Sequence, residues 1–136
     1  MATGASSAPP AAPRLARTFR FDADLGRHVT QFGSDFVMSR LFHSSELHVG
    51  CMRLEPGGLI GMHPASTAQL LAVVEGEGWI RGEDGVKTPV SAGGAVFWSK
   101  GEMHETGTDS GLVAIVIETG ALTDGPELGP APPRTG

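Results

Sequence analysis

Residues 57–108 read GGLIGMHPASTAQLLAVVEGEGWIRGEDGVKTPVSAGGAVFWSKGEMHETGT, and this stretch decides the fold. Within it, residues 69–75 (QLLAVVE) form a nearly unbroken apolar run of strand length. Gly76-Glu77-Gly78 then reads as an interruption before a second strand over residues 79–82. Glu83-Asp84-Gly85 supplies a hairpin turn, with glycine where a positive φ is needed. Residues 86–90 and 95–98 continue the series of short strands.

The same pattern extends outward. Residues 36–42, 47–54 and 112–118 are further strand candidates, the second stopped by Glu55-Pro56-Gly57-Gly58. Phe19 and Phe21 alternate with Arg20 and Asp22 as in an extended segment, and only residues 22–30 resemble a helix. Many short strands separated by frequent turns predict an all-β domain: a sandwich, a jelly roll or a small barrel. Both ends differ from this middle. They are rich in Ala, Ser, Pro and Gly and offer little to bury, so the reading is an unordered tail over 1–16, a barrel over 17–122 and a second tail over 123–136.

Composition agrees and excludes several partners. Twenty of 136 residues are glycine, roughly twice the usual share of about 7%. The net charge is −5 with no concentrated Lys or Arg stretch, which argues against sequence-independent nucleic-acid binding. No apolar run is long enough to span a bilayer. The single cysteine, Cys51, cannot form an internal disulfide, so the expectation is a cytoplasmic protein. Cys51 also lacks a neighbouring base, which argues against a nucleophile.

Two histidines stand in fixed frames. One is Gly57-x5-His63-x-Ala65-x3-Gln69-x6-Gly76, the other Gly93-x5-Ser99-x-Gly101-x2-His104-x3-Thr108. These frames resemble the two motifs of the cupins, G-x5-H-x-H-x3–4-E-x6-G and G-x5-P-x-G-x2-H-x3-N. The resemblance is to a small type-2 cupin and implies an RmlC-like double-stranded β-helix, a jelly-roll barrel. It also implies a homodimer paired through edge strands, for which Phe19, Phe21 and residues 36–42 are the apolar candidates.

Four positions depart from the motifs: Ala65, Gln69, Ser99 and Thr108 stand where cupins carry His, Glu, Pro and Asn. In the family three His and one Glu hold a divalent metal. Here the resemblance leaves His63, Gln69 and His104 as the ligand set, with Fe, Mn, Ni or Zn as the expected ion. The physical basis is simple. Alternate strand residues share a face, so imidazoles can converge inside a barrel, with positions left open for substrate. An amide in place of a carboxylate leaves the ion's charge undiminished and favours an anionic substrate.

Further candidates come from alternation. His48 shares a face with Met52 and Leu54, opposite Cys51, Arg53 and Glu55, so it is a possible extra ligand. Glu102, two residues before His104, is another. Met52, Met62, Ala65, Trp79, Phe97 and Trp98 are expected to line the pocket. His28 and His43 read as surface residues, and Glu83-Asp84 and Glu102/Glu105 as solvated turns. The function expected is a metal-dependent small-molecule enzyme of the oxygenase, isomerase or cyclase class, acting on a small anionic or aromatic compound. The alternative is a metal-free barrel that binds or senses a small ligand without turnover.

Overall fold

A computed structural model describes residues 15–130. Residues 1–14 and 131–136, which make up most of the first expected tail and part of the second, lie outside the described residues. Nine strands follow in chain order: β1 (Arg27–Val29), β2 (Phe36–His43), β3 (His48–Leu54), β4 (Leu59–Pro64), β5 (Gln69–Arg81), β6 (Thr88–Ser91), β7 (Ala95–Trp98), β8 (Met103–Gly107) and β9 (Leu112–Glu118).

All pairings are antiparallel, and β5 is the hub. Its first part, from Gln69 to Gly76, pairs with β7 and β9, while its second part, from Glu77 to Arg81, pairs with β6 and β8. The larger sheet therefore runs β1-β2-β3-β9-β5-β7 and the smaller one β4-β8-β5-β6, joined through β5. This is a jelly-roll barrel.

Gly76-Glu77-Gly78 does not interrupt β5, contrary to the sequence expectation. Gly76 has φ +80°, and a β-carbon there would lie 2.2 Å from the Gly111 carbonyl oxygen. A β-carbon on Gly78 would lie equally close, 2.2 Å, to the Gly107 carbonyl oxygen. The two glycines let one strand cross between sheets against neighbouring backbone, aided by a bulge between Val73 and Glu75.

Other elements depart from the reading in smaller ways. Residues 22–30 hold one 3-10 turn (Ala23–Leu25) and then β1, not a helix. Phe19 and Phe21 lie outside every strand. Phe36 is in the core, and β2 from Phe36 to Met38 already pairs with β1. Strands β1, β4 and β8 were not expected, because short polar segments such as MHETG show no apolar alternation.

The core lies between the sheets. On β9, Leu112, Ala114 and Val116 alternate inward and meet Met52 and Leu54 of β3 and Leu71 and Val73 of β5. Ile60, Ala65 and Trp98 complete it toward the end of the barrel that holds the histidines. The other face of β3 is covered by the segment before β1. Both Ser39 Oγ and the Arg53 guanidinium donate to the Phe21 carbonyl there. Cys51, paired with Ser39, is buried, and burial raises its thiol pKa, which keeps it protonated and inert. Among the described residues no helix is long and apolar enough to cross a membrane.

Candidate functional site

His63 and His104 are directly opposite each other on β4 and β8. Their ring centroids are 4.3 Å apart, tilted by 53°. Alternation alone would not bring them together with Ile60. The register runs Ile60↔Thr106 and then His63↔His104, so β4 carries one extra residue in this interval. That bulge turns His63 onto the same wall as Ile60, and both line one cavity.

Each ring is held by its own strand. His63 Nδ1–H donates to the Gly61 carbonyl at 2.6 Å, and His104 Nδ1–H donates to the Glu102 carbonyl at 3.0 Å. A carbonyl can only accept, so the neutral rings carry their proton on Nδ1 and keep a lone pair on Nε2. His104 is buried, and Trp98 stacks on it with centroids 4.4 Å apart. Burial lowers its pKa, with the charge on His63 adding to the effect. The Glu102 carbonyl and the carboxylates of Glu102 and Glu118 oppose the shift without cancelling it. The ring is therefore neutral at neutral pH.

The cavity measures about 50 Å³. Besides the two histidines and Ile60, its walls are Met52, Gln69, Leu71, Trp98, Thr106 and Glu118. A water occupies about 30 Å³ of liquid, so this space suits an ion or one or two water-sized groups. It is far below the several hundred Å³ typical of a pocket for a drug-sized ligand. Thr106 is 1% exposed, and its hydroxyl has no hydrogen-bond partner. An unsatisfied buried hydroxyl costs about 1–3 kcal/mol, so Thr106 presents an unused polar group on the cavity wall.

Two wall residues escaped the sequence reading. Thr106 lies one strand position from Glu105, in a stretch whose polar residues suggest a solvated turn. Glu118 continues the inward alternation of Leu112, Ala114 and Val116, a signal that could have found it. It pairs in register with Gln69 on one side and His48 on the other. His48 Nδ1 donates to the Glu118 carboxylate at 3.0 Å. His48 therefore reaches the site through Glu118 and is not among the cavity walls.

The remaining expected residues divide. Met52 and Trp98 line the cavity with the two histidines and Gln69, whereas Met62, Ala65, Trp79 and Phe97 do not. Ala65 is core, with its backbone bonded to Gly101 and Glu102. Trp79 lies over Gly107 and carries Lys87 Nζ 4.1 Å from its ring centroid. Glu102 turns away: its carboxylate accepts from the Ser99 N–H and stays exposed. Glu105 is a correction of another kind, since it is buried against the Arg81 guanidinium. Among the described residues, no three His, Cys, Asp or Glu side chains group closely enough to hold an ion by themselves.

The sequence matches the family model of the cupin domain over residues 50–119. No curated protein matches the sequence. Among solved structures, a cupin-like protein from Thermotoga maritima is similar at TM-score 0.66 and 22% identity, over 80% of this chain and 86% of its own. An RmlC-like cupin from Shewanella frigidimarina gives 0.61 and 23%, over 80% and 96%. A predicted oxalate decarboxylase from Thermotoga maritima gives 0.62 and 19%, over 74% and 98%. At these identities the structures speak for the fold alone. With the jelly roll, the two histidine frames and a family match across 70 residues (119 − 50 + 1) of 136, the chain belongs to the cupin family.

Proposed function

We propose that the barrel binds one divalent metal ion at His63 and His104 and acts as a metal-dependent enzyme on a small anionic compound. The observation that carries this reading is the matched pair of rings. Both are tied at Nδ1 to a carbonyl of their own strand, and both line one small cavity. Carbonyl-anchored imidazoles with a free Nε2 are the usual form of a histidine metal ligand.

The donor set suits an ion in two further respects. Burial keeps His104 neutral, the form that coordinates. The unpartnered Thr106 hydroxyl and the Gln69 amide add oxygen atoms to the same walls. Two imidazoles alone hold a metal weakly, so Gln69 is the third ligand. When bound, the ion supplies Lewis-acid polarisation of a substrate or water oxygen. The chain's own contribution is to exclude water through Trp98, Leu71 and Met52, to orient both rings, and to keep Glu118 and its His48 partner at the cavity edge as a proton acceptor. The small cavity favours a compact acid over a bulky aromatic substrate, and the reaction falls in the oxygenase, isomerase or cyclase class. The setting is cytoplasmic.

Purified protein incubated with excess Fe²⁺, Mn²⁺, Ni²⁺ or Zn²⁺ and then gel-filtered should retain about one equivalent of one of them. Retention of none overturns the metal reading. The metal-free ligand-binding alternative would then stand, since Thr106 still asks for a polar partner.

We also propose a homodimer. Beyond Met38 the outer edge of β2 has no strand partner among the described residues, and Leu41 and Phe42 are exposed there. Sedimentation at micromolar concentration should show the dimer, and a monomer alone contradicts it.

A further inference from the structure

Phe32 is the only non-glycine residue with a positive φ among the described residues, at φ 61° and ψ 27°. That conformation is unfavourable for a side chain of this size and persists only where surrounding contacts impose it. Burial does not explain it, because Phe32 is 56% exposed. The conformation brings the ring into one aromatic contact. The Phe32 ring lies flat on the His63 imidazole, with centroids 4.9 Å apart and planes within 3°.

The turn that carries Phe32 (Gln31–Gly33) is fastened to the same short piece of β4 that sets His63. Ser34 Oγ, buried, accepts the Gly61 N–H at 2.8 Å. Asp35 and Leu59 exchange two backbone hydrogen bonds, of 2.6 and 3.1 Å. The Phe32 carbonyl sits so close over Gly61 that a β-carbon there would lie 1.8 Å from it. Gly61 belongs to the bulged interval, and its carbonyl is the acceptor for His63 Nδ1. One glycine thus receives the turn on its N–H and α-carbon and anchors the imidazole on its carbonyl.

We propose that Phe32 is a positioning residue for His63. It holds the imidazole against the bulge, keeps its proton on Nδ1 and its Nε2 lone pair available, and covers the outer face of the ring. The ring contact adds a second restraint to the single hydrogen bond by which β4 holds the imidazole. The proposal rests on His63 being a working residue of the cavity, but its test does not require a bound metal.

The test is Phe32→Gly, with Phe32→Tyr as the conservative partner, followed by ¹⁵N-detected histidine tautomers in metal-free protein and by Zn²⁺ titration. Glycine accepts the positive φ, so the variant should fold with an unchanged or raised melting temperature. His63 should nevertheless lose its pure Nδ1–H form and show mixed tautomers or broadened ring signals. His104, held by a separate carbonyl, should keep its signals. Zn²⁺ affinity should fall about three- to tenfold, and Phe32→Tyr should restore both readouts. Unchanged His63 tautomer and Zn²⁺ affinity in Phe32→Gly would overturn the assignment, as would an equal disturbance of His104, which would mark a general loosening. Wild-type protein that binds no Zn²⁺ would leave the metal reading to the other three ions and the tautomer comparison decisive for Phe32.

Discussion

His104 is the residue whose chemistry is most altered by the fold. Burial pulls its pKa below the ordinary 6.5. In acid the unfolded chain takes up a proton that the folded barrel resists, so the unfolded state binds more protons across this range. Stability therefore rises with pH there, and is lost as pH falls from about 7 toward 5. Metal-free protein should melt at a lower temperature at pH 5 than at pH 7, and His104→Gln should flatten that difference. An equally steep fall in the variant would place the effect on other groups. At this scale the sequence was only partly readable. His63 and His104 stood out because both occupy fixed frames between glycines. Phe32 and Thr106 did not, because a stacking contact from an exposed turn and an orphan hydroxyl have no sequence signature.

Elements were legible wherever apolar residues ran together, as in β9 and the first half of β5, and illegible where geometry depended on close backbone approach. The expected break at Gly76-Glu77-Gly78 shows why. A glycine pair in a strand signals either an end or a crossing, and only the carbonyls of Gly107 and Gly111 decide between them. Gly76→Ala meets both a positive φ and a backbone oxygen, so it should cost about 2–4 kcal/mol. Gly85→Ala, at φ +74° in open space, should cost only about 1 kcal/mol. Chemical denaturation of both variants checks the contrast, and similar costs would mean that β5 does not pass its neighbours as closely as described. The bulge in β4 is the same lesson at the site. Alternation counted from Ile60 would turn His63 away from the cavity, and one inserted residue brings it back.

Across the whole molecule the barrel converts two weak sequence signals into one place. The motif glycines Gly57, Gly76, Gly93 and Gly101 all carry positive φ, which is why the frames survive although Ala65 and Gln69 depart from them. Fold was therefore legible from backbone requirements, whereas the full set of cavity walls depended on pairings between strands far apart in the chain. Glu118 reaches the cavity edge by pairing with Gln69 across the larger sheet. Function in this barrel requires His63 and His104 to act as a single centre. The direct measurement is the metal content of wild-type protein beside His63→Ala and His104→Ala, each confirmed as folded by thermal melting. About one equivalent in the wild type and its loss in both variants is the expected result; an undiminished content in either variant would contradict it.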